Sequence, residues 1–99
     1  MLRLPDPIAF EWDEGNRDKN REKHGVSVSE VEEVFFDADK RAFPDPKHSL
    51  TEARSIIVGK TKQGRLLFVV YTIRDKSIRV ISARDLNKKR EVDLYEKAP

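Results

Sequence analysis

Residues Gly64 to Arg84 read GRLLFVVYTIRDKSIRVISAR, and this stretch decides the fold. Leu66 to Ile73 is a near-continuous run of Leu, Phe, Val, Tyr, Thr and Ile, the pattern of a strand buried on both faces. Asp75, Lys76 and Ser77 form a short polar turn, and Ile78 to Ala83 returns as a second strand. Regular alternation puts Ile78, Val80 and Ser82 on one side with Arg84, and Arg79, Ile81 and Ala83 on the other. A central strand is thus paired with one that ends on a fixed cation.

Working outward, Glu52 to Lys60 reads as a third strand, with Arg54, Ile56 and Val58 on one face, and Thr61 to Gly64 as a turn. Lys40 to Phe43 is a candidate edge strand before a turn-rich segment that Pro44, Asp45 and Pro46 keep from being helical. Beyond Arg84, Asp85 is placed as the cap of a helix running from Leu86 to about Lys97, supported by Val92 and Tyr95. Upstream, Ser27 with Glu30 makes a capping box, Val26 can staple to Val31, and Val28, Val31, Val34 and Phe35 form a helical stripe.

The segment Glu14 to His24 holds no apolar residue, so only Asp13 as N-cap and Gly25 as stop mark it as a helix. Asn16, Asn20 and His24 then share one face, beside Lys19 and Lys23. So polar a helix is marginal alone, and its amides or imidazole must dock it or do chemistry. Ile8 to Trp12 reads as a first short strand, and residues 1–7 as a flexible lead. The expected architecture is one domain over residues 1–99 of class α+β. It is an antiparallel meander with two N-terminal helices packed on it and a helix at the C-terminus.

Thirty-seven per cent of the 99 residues are hydrophobic and 38% charged, which suits a compact core under an ionic surface. No apolar run is long enough for a membrane span, and Met1 to Phe10 lacks the layout of a secretory signal. With no cysteine, disulfide frameworks and zinc knuckles are excluded. These features point to a cytoplasmic protein with no membrane partner. The net charge of +2 hides a division: residues 1–50 carry 8 basic and 12 acidic side chains, residues 51–99 carry 12 and 6. A basic half suits phosphates or an acidic protein partner.

Asp45, His24 and His48 give no metal-ligand spacing, so no metal and no cofactor is assigned. The chemistry-bearing set is cationic: His24, Arg65, Arg74, Arg79 and Arg84, with Lys23 and Tyr71. Cleaving RNA without metal needs a group to take the 2′-hydroxyl proton, one to protonate the leaving oxygen, and cations on the phosphorane. Histidine titrates near neutrality, and the planar fork of arginine fits phosphate oxygens.

The motifs FEWD (Phe10–Asp13), KNREKHGVS (Lys19–Ser27), FPDPKHS (Phe43–Ser49), GRLLFVVYT (Gly64–Thr72) and RVISAR (Arg79–Arg84) together resemble the BrnT toxin family. That resemblance spans about Phe10 to Tyr95 and implies a RelE-like fold and metal-independent endoribonuclease activity that arrests translation. It also implies neutralisation by a BrnA-type antitoxin in a hetero-oligomer, DNA being bound only indirectly through the antitoxin. The matching positions are Arg84 and Arg65, ranked first as catalytic, followed by His24, with Tyr71 third. Lys19, Lys23, Tyr71, Arg74, Arg79, Lys88 and Lys89 are the RNA-binding candidates. The family pattern implies a second arginine after Arg84, where this chain has Asp85, so Lys88 or Arg79 would have to substitute. Arg79 and Arg84 differ in parity and share a groove only if the strand bends between them. The nuclease reading expects Arg65, Arg84 and His24 to converge over one phosphate-sized hollow. The alternatives are a non-catalytic module binding nucleic acid or protein through the same basic face, and a subunit whose arginines serve interface ion pairs.

Overall fold

The computed structural model describes residues 3–46, 52–86 and 89–96. Four strands, β1 (Arg41–Pro44), β2 (Ser55–Lys60), β3 (Leu66–Arg74) and β4 (Ser77–Asp85), form an antiparallel sheet in the order β1-β2-β3-β4. Helices α1 (Glu14–Arg17), α2 (Lys19–His24) and α3 (Val28–Phe35) precede it, and α4 (Lys89–Glu96) follows. The class is α+β.

Short connections force the antiparallel order. The β3–β4 turn places Asp75 and Lys76 at φ 49° and 66°, the double left-handed geometry that matches the twist of a two-residue hairpin. Gly64, at φ 90°, closes the β2–β3 turn with its amide on the Thr61 carbonyl.

One face of the sheet is the core. Leu67, Val69 and Tyr71 of β3 are buried on the helix side, and on the other face Thr72 is buried while Leu66, Phe68 and Val70 are half-buried. The sequence expectation of burial on both faces holds from Leu66 to Thr72, completely on the helix side and partly on the other, and fails at exposed Ile73. Val31, Val34 and Phe35 of α3 pack onto Ile57, Val69 and Tyr71. Their approach is close at Gly59, where a Cβ would meet Val34 Cγ1 at 2.7 Å. The Ser27–Glu30 capping box forms, and Val26 and Val31 are both buried.

A β-bulge between Val70/Tyr71 and the facing Val80 to Ser82 segment leaves Ile81 without a partner in the register. Beyond it the side chains change face. Val80 pairs with Tyr71 and Ala83 with Val69 on the core side, while Ser82, Arg79 and Arg84 face away with Val70, Thr72 and Phe68. Strict alternation, which set Ser82 and Arg84 beside Ile78, is therefore overturned.

Three further expectations change. Ile8 to Trp12 is no strand in the sheet: Phe10 makes a single parallel bridge to Ile78, while Leu4, Ile8, Phe10 and Trp12 pack against the core. The first helix breaks at Asp18 into α1 and α2. Asp85 pairs with Leu67 as the last residue of β4 and binds Arg65 through its carboxylate, and α4 runs from Lys89.

Candidate functional site at the end of the β3–β4 hairpin

The polar segment docks through its amides. Asn16 Nδ2 donates to the Glu11 and Val80 carbonyls, and Asn20 Oδ1 accepts from the Ala83 amide at 2.9 Å. Ile78, on the same edge of β4, exchanges backbone bonds with Ala9 and Glu11. Side-chain amides thus stand where a fifth strand would stand, satisfying backbone groups that an edge strand exposes. This fixes α2, and with it His24, against β4.

Arg65 lies where β3 begins, on the helix side with Tyr71, as its parity requires. Its Nε donates to Asp85 Oδ1 at 2.6 Å and its Nη2 to Asp85 Oδ2 at 3.0 Å. The same Nη2 reaches the His24 carbonyl at 3.1 Å, while Nη1 donates to the Gly25 carbonyl at 2.8 Å and to Glu30 at 3.1 Å. All five guanidinium N–H groups are thereby engaged. The knot ties the end of α2, the start of α3 and the end of β4 together. Asp85 is held below its ordinary pKa first by its bonds to Arg65, with a smaller electrostatic push from His24. Glu30 is lowered chiefly by the Ser27 amide and then by Arg65. Arg65 is raised, Asp85 being the main cause.

Arg84 leaves the same strand end on the opposite face. Its guanidinium lies 4.3 Å from the centre of the Phe68 ring, directly across the ladder. Nη1 and Nη2 donate to the two Glu91 carboxylate oxygens at 2.9 and 2.8 Å, and Nη1 also reaches the Asp85 carbonyl. Arg84 is raised, mainly by Glu91. Glu91 comes from the first turn of α4 and its side chain is only 9% exposed, against 32% for Arg84.

The remaining candidates are also placed. Arg79 shares the face of Arg84 and is bound by Glu11 and Asp13, and Arg74 grips Glu52 with two nitrogens. Asp13 and Glu52 are lowered accordingly, first by the Arg79 and Arg74 hydrogen bonds. Lys19, Lys23 and His24 are exposed on α2, and Lys89 is exposed at the start of α4. Lys88 and His48 lie outside the described residues. Tyr71 is 1% exposed, its ring edge-on to Phe35, and burial raises its pKa. A core ring has no face to offer a base, so the expected RNA contact at Tyr71 is corrected to packing.

The expected convergence of Arg65, Arg84 and His24 over one hollow is not found. Arg65 reaches the His24 carbonyl, whereas Arg84 lies across β4 from them and is linked to Arg65, among the described residues, through Asp85. The meeting point is Asp85, whose carboxylate takes Arg65 and whose main-chain carbonyl takes Arg84, not one shared hollow. Sequence reading missed Asp85 as the partner of Arg65, and missed Phe68 and Glu91 altogether. Asp85 was legible in principle, since a strand end beside the Gly64 turn must face it. Glu91 gave no signal, because its contact depends on the direction α4 takes after β4.

Fold and charge together define an α+β protein with an arginine-rich hairpin end clasped by carboxylates. The comparison with known proteins narrows that class. The family model of the ribonuclease toxin BrnT, of type II toxin–antitoxin systems, matches residues 12–90, and the chain belongs to this family. Membership implies an RNA substrate and an antitoxin partner. The crystal structure of the Brucella abortus ribonuclease toxin BrnT is similar in fold, with a TM-score of 0.61 and 21% identity over 82% of this chain and 99% of that one. No curated protein matches. Among the described residues no helix is long and apolar enough to cross a membrane.

Proposed function

We propose that this chain is a metal-independent endoribonuclease that cleaves RNA at the β3–β4 hairpin end and arrests translation in the cytoplasm. A BrnA-type antitoxin neutralises it in a hetero-oligomer and supplies the DNA contact. The observation that carries this reading is Arg84: a guanidinium seated on Phe68 at a strand end, offering a planar cation beside an aromatic ring.

In the proposed reaction the 2′-hydroxyl oxygen of the substrate attacks the adjacent phosphorus. A base accepts the hydroxyl proton as the new P–O bond forms. The bond to the 5′-oxygen then breaks and that oxygen takes a proton, leaving a 2′,3′-cyclic phosphate and a 5′-hydroxyl. Arg84 stabilises the extra negative charge on the phosphorane oxygens. His24, exposed at the end of α2 and across β4 from Arg84, is assigned the proton transfer, with the RNA strand passing over the Asp85 end of β4 between them. Arg65 serves as a positioning residue, since its donors are spent on holding His24 and Gly25 by their carbonyls. Lys19, Lys23, Lys89, Arg74 and Arg79, with Lys88, supply the electrostatic attraction for the flanking strand.

The test is purified protein with RNA in excess EDTA. Wild type cleaves, and Arg84→Lys, which keeps the charge but loses the fork, falls by roughly 10²-fold while remaining folded at the assay temperature. Absence of wild-type cleavage in EDTA would overturn the reading. The carboxylate partners of Arg74, Arg79 and Arg84 favour a second reading, a binding module without turnover. It predicts salt-sensitive RNA binding and intact RNA at the end of the assay.

A further inference from the structure

The arginines that a phosphate would use are already occupied by the protein's own acids. At Arg84 the occupancy is closest to what a phosphate would do. Glu91 presents two oxygens to the two terminal nitrogens at 2.9 and 2.8 Å, the fork-to-fork geometry in which arginine also receives a phosphate. Phe68 closes one face of the guanidinium at 4.3 Å and the Asp85 carbonyl takes a further Nη1 hydrogen bond. A phosphate arriving from the exposed side of Arg84 therefore meets a carboxylate on the edge it needs.

Arg65 differs. Two of its acceptors are backbone carbonyls, which cannot leave without unwinding the α2–α3 junction. Glu91 is a side chain on three rotatable bonds, so it can leave the Arg84 edge by changing rotamer.

Resting on the reading above that Arg84 receives the RNA backbone, we infer that Glu91 is a built-in competitor for the phosphate edge of Arg84. It sets how tightly the site takes a single-stranded RNA backbone. RNA binding is then an exchange at one guanidinium, carboxylate out and phosphate in. The charge of Arg84 is neutralised before RNA arrives, so that contact releases fewer counterions than an unpaired arginine would. In the resting protein the same pair keeps the cation seated over Phe68.

The experiment uses a fluorescent single-stranded oligoribonucleotide whose 2′-hydroxyls are methylated, so that it binds without being cut. Its affinity is followed by anisotropy across a salt series for wild type, Glu91→Gln and Glu96→Gln. Glu91→Gln is expected to bind about 3- to 10-fold tighter near 0.1 M salt, the range that competing ion pairs of this kind withhold. The slope of log affinity against log salt is expected to steepen by about 0.7, one added phosphate contact on a single strand. Glu96→Gln removes an exposed charge from the same helix and is expected to leave the slope unchanged. Unchanged or weaker binding by a folded Glu91→Gln, with the wild-type slope, would overturn the inference.

A measurement on the wild type guards against a variant that does not fold. The ¹³C resonance of the Glu91 carboxylate should move as the probe is added, and a resonance that stays fixed at saturation would equally sink the exchange. Failure of the nuclease reading looks different. In that case ordinary RNA stays intact, while the affinity and salt slope of Glu91→Gln still report on the exchange by themselves.

Discussion

Arg79 and Arg84 face the same side of the sheet, although five positions along one strand would set them on opposite sides. Arg79 stands opposite Thr72 and Arg84 opposite Phe68, and both of those β3 residues point away from the helices. The bulge at Ile81 absorbs the odd residue. Without it, regular pairing would carry Arg84 round to the core side at Leu67.

Deleting Ile81 is therefore expected to be tolerated. Val80 would still meet Tyr71 and Ser82 would still meet Val70, so each later side chain keeps its face. The variant should unfold cooperatively, with a melting temperature within about 10 °C of wild type, a cost of roughly 1–2 kcal/mol. RNA cleavage should persist. A deletion that fails to fold would mean that the extra twist at Ile81, not the face it restores, is what the strand needs.

The amide docking of α1 and α2 leads to a second expectation. Asn20→Ala leaves the Ala83 amide without its acceptor in a place that is 2% exposed at Asn20, which costs about 1–3 kcal/mol. For a domain of this size that lowers the melting temperature by roughly 4–20 °C. Asn16→Ala should behave alike, since it loses the Val80 carbonyl and its half of the capping box with Asp13. Lys23→Ala, exposed on the same helix, should not alter stability. Thermal unfolding of the three variants decides the matter.

Much of this arrangement was readable from the chain. Asp13, Gly25 and the Ser27–Glu30 box are local devices, and each appears where side-chain chemistry placed it. The spacing of Asn16, Asn20 and His24 correctly demanded that something dock the polar helix. The bulge was invisible because a two-residue period carries no mark of where it slips. Asp85 looked like a cap because aspartate before a helical run usually is one; pairing with Leu67 and the pull of Arg65 outweighed that local preference. The helix-side partners of Arg65 include main-chain carbonyls, which no residue type announces.

The Asp85–Arg65 knot should make the fold acid-sensitive. Asp85 is depressed below its ordinary 3.8, so its folded pKa is the lower of the two. Its contribution is complete above pH 3.8 and disappears as the pH falls through the depressed value. The side chain is half exposed, so the effect at neutral pH is small, about 1 kcal/mol or less. Asp85→Asn should melt a few degrees below wild type at about pH 7, and the gap should close below about pH 4. A gap that stays constant across that range would assign the loss to shape, not charge.

The β3–β4 turn offers a stabilising change. Lys76 adopts φ 66°, a left-handed conformation that is sterically costly for a residue with a side chain. Lys76→Gly removes the steric cost of the left-handed region, worth about 1 kcal/mol before the added chain entropy of glycine is subtracted. A rise of about 2–4 °C in melting temperature is expected, with cleavage unchanged. A fall would show that Lys76 holds the hairpin by its side chain.

Scaffolding and chemistry at Arg84 can be separated by removing its partner with it. Arg84→Ala alone strands a carboxylate that is 9% exposed, and that loss of stability would obscure any effect on catalysis. The double variant Arg84→Met with Glu91→Leu replaces the pair by apolar groups of similar bulk against Phe68. It is expected to keep its melting temperature within a few degrees of wild type, since such replacements are commonly neutral. Cleavage should nevertheless fall by at least about 10²-fold, because nothing is left at the strand end to hold a phosphorane oxygen. Arg65→Ala should show the reverse order of effects: unfolding first, with its activity loss matching the unfolded fraction, since its donors all serve the fold. Full cleavage by the folded double variant would move the phosphate contact away from Arg84, to Arg79 and Arg74 farther along the same face.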